Sequence, residues 1–304
     1  MAEWNGVGLP PAAQRRVEVA GQTDLRSSLL SVSSNTGMES VGFTPVSEVM
    51  GCIVLSTSGA LMPSCGVYQQ MGMTPFGLGM NAAPARAYLA DTQGVTTSGG
   101  YEPYVDVLNR GWAMAIDRMV QEATALGASG IVDVRLSEQR FEGGALEFMV
   151  LGTAVRSTVI DHLHDGLLFT THVSGADFAK LVHHGWTPAR LVVEVSLAIR
   201  HDDYLMLSQR SMFAQNVELP GLSELVSVAR HGAKRRIERY LGRNHEVGAI
   251  IDSLRTRVFG NEPFENHSDH LAEVRVVGST LRATGPQEFP MRTLSMISLK
   301  DPKR

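Results

Sequence analysis

Two cysteines, Cys52 and Cys65, are all that 304 residues contain. That is too few to staple domains of this size, which excludes a disulfide framework and fits a reducing compartment. Long hydrophobic runs are missing as well, since no window reaches the roughly 18 apolar residues of a membrane span. The first residues, with Glu3 among polar neighbours, lack the positive start and apolar run of a secretory leader. The expectation is a cytoplasmic chain with no membrane span. No basic stripe accompanies the net charge of -4, which divides into about -5 before residue 161 and about +1 after it. Nucleic acid is therefore not an expected partner.

Linear enzyme signatures are equally scarce. There is no Walker loop, dinucleotide fingerprint, Gly-x-Ser-x-Gly elbow or His-Glu-x-x-His helix. Gly77-Leu78-Gly79 lacks both a third glycine and a preceding strand. No nucleotide cofactor and no catalytic residue are expected. An active site shared between subunits would leave no linear motif, so that alternative stays open.

What is present is a hydrophobic content of 43%, enough to fill a core in each of two ordinary domains, and a repeat. Gly42-Phe43-Thr44-Pro45-Val46 returns 143 residues later as Gly185-Trp186-Thr187-Pro188-Ala189, each running into a strand-like segment. Further landmarks follow in the same order, as a tandem duplication requires. After the first corner come a strand at 48–56, a long helix at 103–126, and strands at 131–141 and 146–156. After the second come a strand at 191–200, a helix at 222–241, and strands at 250–258 and 271–282. The helices show apolar residues at three and four, as in Leu108, Trp112, Ala115, Met119 and Ala123, with Pro103 or Pro220 at the start. Val193, Val195, Leu197 and Ile199 alternate with other residues, as a strand with one buried face would.

The fold class expected is α+β: two similar units, each a small, mainly antiparallel sheet packed on one long helix. Residues 1–24 read as a flexible arm, 25–160 as the first unit, 161–284 as the second and 285–304 as a tail. A short strand at 29–33 should open the first unit, with 167–172 as its counterpart. A short helix should begin near Ser174. Glu142-Gly143-Gly144 should turn the first hairpin, and the turn of the second should widen to 260–270. Residues 57–100 form a Met/Gly-rich loop without close counterpart, and long loops of this kind are usually functional or mobile.

All ten histidines lie between His162 and His270. His162-Leu163-His164-Asp165 is the best metal candidate, because alternate side chains of an extended segment share a face and could bring His162, His164 and Asp165 to one ion. A solvated linker is the competing reading. His183-His184 suits a helix C-terminus better than a chelate. His201-Asp202-Asp203 and the group His267, Asp269 and His270 read first as solvated turns and second as hard-cation sites. Cys65 with Met62, Met71 and Met73 offers soft sulfur ligands of the Cu(I) kind, against which stands methionine as apolar filler. Cys52, within an apolar strand, should be buried and inert.

Ser98-Gly99-Gly100-Tyr101-Glu102 before the long helix, Ala125-Leu126-Gly127-Ala128 closing it, and Gly152-Thr153-Ala154-Val155 in the last strand resemble the YbjQ-like family, which carries a heavy-metal-binding label. The likeness covers about residues 29–156. The second unit follows the order with altered wording, such as Gly278-Ser279-Thr280-Leu281. The resemblance implies a helix-backed sheet that assembles into a ring, commonly a pentamer, by strand addition between neighbours. With two units per chain, either rings stack or a ring closes with an even number such as six. The expected function is a non-catalytic, ring-forming homo-oligomer with a transition metal ion as its implied cofactor. The alternatives are a scaffold that meets protein partners through loop 57–100, and an enzyme with a site shared between subunits.

Overall fold

The computed structural model describes residues 4, 6, 8–22, 28–58, 60, 95–97, 100–157, 168–201, 218–241, 246–264 and 267–285. Its two halves begin alike. Helix α2 (Val32–Ser40) and helix α4 (Gly175–His183) are nine residues each, and Ser31 and Ser174 cap them by accepting the N–H of Ser34 and Asp177. Gly42 and Gly185 then take φ of 79° and 81°, a region costly for other residues, and the chain turns into a strand. No strand forms at 29–33. The Ser31 hydroxyl instead supplies an N-terminal cap, which outweighs the local alternation.

Strands β1 (Phe43–Ser56), β3 (Gly130–Phe141) and β4 (Ala145–Ser157) form the first sheet, and β6 (Trp186–His201), β7 (Glu246–Phe264) and β8 (His267–Ala283) form the second. Their orders, β1-β4-β3 and β6-β8-β7, are the same. Both first strands are bulged just after the Thr-Pro pair, between Pro45 and Ser47 and between Pro188 and Leu191. Val49 pairs with Gly152 as Val192 pairs with Gly278, which aligns the sheets residue by residue. The second hairpin corrects an expectation: its ladder continues through Gly260 with His270 and Asn261 with Asp269 to Phe264 with His267, so 260–264 and 267–270 are strand. Pairing satisfies backbone groups that a wide loop would leave to water.

Each sheet gains one short strand. β5 (Phe169–Thr170) from the second half lies parallel to β3, and β2 (Val95–Thr97) from the end of the long loop lies antiparallel to β6. Helix α3 (Glu102–Ala125) packs on the first sheet so closely that a Cβ on Gly51 would lie 1.8 Å from the Ala115 carbonyl oxygen. Its other side packs on the second sheet, and Tyr101, Tyr104 and Trp112 are fully buried there. Helix α5 (Pro220–Glu238) covers the far face of the second sheet through Leu225, Ala229, Ala233 and Ile237. The layers thus run first sheet, α3, second sheet, α5.

The stretch expected to be an arm contains helix α1 (Pro11–Gln22), tied by Arg16 to the buried Glu122 of α3. Glu122 also accepts the Met50 N–H at 2.9 Å, and Arg118 donates to the Cys52 carbonyl, so α3 side chains satisfy the outer edge of β1. Burial raises the Glu122 pKa, with the Met50 N–H and Arg16 opposing it. Among the described residues no helix is long and apolar enough to cross a membrane.

Candidate functional site

The densest set of buried polar groups lies where α3 crosses the second sheet. Strand pairing sets three rows on that face: His201, Asp269 and Asn261; Leu197, Glu273 and Arg257; Val195, Arg275 and Arg255. From α3, the Tyr101 hydroxyl donates to Asp269 Oδ2 at 2.8 Å and accepts from Asn261 Nδ2 at 2.8 Å. His201 Nδ1 meets the other oxygen of Asp269, a residue wholly buried. One turn on, the Tyr104 hydroxyl donates to Glu273 Oε2 at 2.7 Å and accepts from Arg140. Arg140 and Arg257 stand 3.9 and 3.8 Å from that carboxylate. Arg275 bonds Glu138 of β3 at 3.1 Å and lies over the Trp112 ring.

Burial, then the charge and hydrogen bond of Glu273, push the Tyr104 pKa up to about 12. Burial lowers that of Arg275 from its ordinary value, with Glu138 opposing. Tyr104 is therefore a neutral donor at physiological pH, and the carboxylates across from it are held by fixed dipoles and arginines. The seam orients and neutralises. Its acids and bases are spent on joining the two halves, and the cavities of about 550–670 Å³ lie elsewhere, beside α1, beside α5 and between α3 and β6.

A second constellation imitates a catalytic pair. Ser279 Oγ lies 2.8 Å from His172 Nδ1, and accepts from the Thr171 hydroxyl at 3.0 Å and the His172 N–H at 3.3 Å. Ser279 is fully buried, and burial lowers the His172 pKa. The first half carries the same tie, the Leu29 N–H donating to Thr153 Oγ1 at 3.1 Å, with Leu29 and His172 again 143 positions apart. The hydroxyl anchors the segment leading into α2 or α4.

His162, His164 and Asp165 lie outside the described residues, as do Cys65, Met62, Met71, Met73, Asp202 and Asp203. His183 and His184 end α4 and are exposed. The structure joins His201 to Asp269, which the sequence offered in two unrelated turns. Among the described residues no three His, Cys, Asp or Glu side chains converge as a metal site. Cys52 is half-buried and donates to Glu147 at 3.2 Å, and burial followed by that hydrogen bond raises its pKa to about 11. A thiol held protonated is a poor ligand. Sequence reasoning missed Tyr104, Glu273, Arg275, Glu138 and Ser279. A signal existed for Tyr101 and Ser279, which sit inside the two glycine motifs.

A family model described as "Putative heavy-metal-binding" (YbjQ) matches residues 85–158. The chain is similar along nearly its whole length to the Encapsulin nanocompartment protein Rv1762c of Mycobacterium tuberculosis, with 28% identity covering 92% of this chain and 94% of that one. A UPF0145 protein of Helicobacter hepaticus is 30% identical over 89 residues, 29% of this chain and 85% of the relative. A UPF0145 protein of Alkaliphilus metalliredigens is 45% identical over 53 residues, 17% of this chain and 52% of the relative.

Proposed function

The chain belongs to the UPF0145 family of YbjQ-like proteins, and from that membership we propose that it is a two-unit, non-catalytic building block of a homo-oligomeric ring. One observation carries this reading: α3 is buried between the sheets of both halves, and the charged groups around it are consumed in the joint. Such a joint resembles a subunit interface enclosed in one chain, with packed apolar side chains and buried polar groups that are paired. The β7 strand adds support, because it ends the second sheet and exposes Val247, Ile251, Leu254 and Val258. A long apolar strand edge of this kind is a template for association. Mass photometry of the purified chain tests the reading. It expects a species of several times 32.9 kDa, and a single-chain mass at micromolar concentration refutes it.

The name of the full-length relative supports work alongside an encapsulin-type compartment. Co-purification with an encapsulin shell tests that extension, and loss of the chain on shell washing rejects it. For the transition metal of the family label, the described residues offer no fit. The reading assigns it to His162, His164 and Asp165, and fewer than about a tenth of an ion per chain after Zn, Cu or Ni loading, with no thermal shift, rejects the assignment.

A further inference from the structure

We propose that copies of this chain join by repeating, between molecules, the joint that already links their two halves. The proposal rests on the oligomeric reading and names its surfaces. The internal joint is heterologous, because the two halves contribute different faces. The first half gives α3 and its neighbour β3, with Leu136, Glu138 and Arg140 beside the helix; the second gives the face of its sheet that carries Glu273, Arg275 and Val277. At the first corner, α4 of the second half covers Phe43, whose ring lies 5.2 Å edge-on to Phe178. In addition, β5 extends the edge of β3.

Among the described residues, each of these surfaces has a counterpart left open at the other end of the chain. The shared register matches Leu136, Glu138 and Arg140 to Leu254, Thr256 and Val258, beside α5. Leu254 and Val258 are 37% and 45% exposed, and a groove of about 630 Å³ separates Leu254 from Val226 and Arg230 of α5. Glu273, Arg275 and Val277 match Glu147, Met149 and Leu151 on the outer face of the first sheet. Among the described residues no helix packs across that face, although α1 lines a cavity at its β1 border. Phe43 is buried and its counterpart Trp186 is 38% exposed. Among the described residues one half of each joint is therefore unmatched at each end, and a second copy supplies both.

Complementarity argues for the same occupant. Inside the chain Arg275 bonds Glu138 across the joint. At the open ends the two matching positions are Met149 and Thr256, so both partners have lost their charge together. Arg140 is replaced by Val258, while Glu273 is matched by Glu147, whose carboxylate accepts from the Cys52 thiol of its own sheet. For the Arg275–Glu138 pair, keeping one charge alone would strand it, which is costly. At that pair of positions the external joint is the uncharged version of the internal one, with Arg230 bonding Thr256 within its own half. A heterologous contact of this kind closes into a ring when its rotation permits and otherwise runs on as a filament.

The test uses full-length chains carrying Met149→Glu on the sheet face or Leu254→Glu beside α5, with circular dichroism to check folding. Each variant alone should lose assembly, its dissociation constant rising at least about 100-fold. Mixed, they retain one intact face each and should form a 1:1 pair that grows no further. The double variant Met149→Arg with Thr256→Glu recreates the internal ion pair and should assemble better than either single change. If both glutamate variants assemble as the parent does, this proposal fails while the oligomeric reading stands. A parent that is monomeric at all concentrations overturns both. Assembly that appears only when residues 1–22 are removed makes α1 the occupant of the open face and overturns the proposal.

Discussion

Replacing Tyr104 by Phe removes one oxygen and leaves the ring in place, so it measures the seam directly. Tyr104 is fully buried and Glu273 is 7% exposed, and the hydroxyl bonds that carboxylate at 2.7 Å. A hydrogen bond to a charged group contributes about 1.5–3 kcal/mol. Arg140 and Arg257 remain within 4 Å of Glu273 and are partly exposed, so they relieve some of the loss. The expected cost is about 1.5–2 kcal/mol, a fall in Tm of roughly 2–3 °C for a chain of this size. Urea denaturation of the parent, Tyr104→Phe, Glu273→Gln and the double variant would isolate a coupling of at least about 1 kcal/mol. The alkaline limb adds a second reading. A folded pKa raised above its unfolded value gives stability that is intact below about 10 and lost as pH rises through about 12. The parent should weaken over that window more steeply than Tyr104→Phe. A phenylalanine variant within about 0.3 kcal/mol of the parent, or a coupling near zero, refutes the view that the seam is held by this bond.

Three further outcomes follow from the packing and the thiol. Gly51→Ala places a methyl 1.8 Å from the Ala115 oxygen and should cost at least about 3 kcal/mol by chemical denaturation, whereas Gly248→Ala, with open space around it, should stay within about 0.5 kcal/mol. On a Cys65→Ser background, iodoacetamide should label Cys52 slowly at pH 7, at a rate that rises about tenfold per pH unit and levels only towards about 11, so levelling near 9 contradicts the burial argument. Thr153→Val and Ser279→Ala each remove an acceptor from the same repeated tie and should each cost about 1 kcal/mol in thermal unfolding. Ser279 should cost more, because it also holds the Thr171 hydroxyl and the His172 ring.

The duplicated helix and strand order was legible because local periodicity and two Gly-x-Thr-Pro corners report it directly. Buried Leu108, Trp112, Ala115 and Met119 keep the spacing that helix formation demands. Local reading failed where a single side chain decides, as at Ser31, whose hydroxyl turns an apparent strand into a helix start. It also failed at 260–270, where polar residues that resemble a loop continue a ladder. The seam was invisible for a different reason: Tyr101 and Asp269 stand 168 positions apart, and Glu138 and Arg275 stand 137 apart. Such partners meet only because α3 packs on its own sheet and on the next one at once. Duplication offers a partial remedy, since matched positions reveal which groups face a partner and which have lost one.

The continuous polypeptide between the halves has a thermodynamic consequence. Two surfaces on one chain meet at an effective concentration on the order of millimolar, far above that of separate molecules in dilute solution. The ionic joint, which dissolved salt would loosen between free partners, is thereby protected by the tether. Dilution and ionic strength then act on unlike seams: dilution should separate copies joined in the proposed way long before salt parts the halves of any one of them.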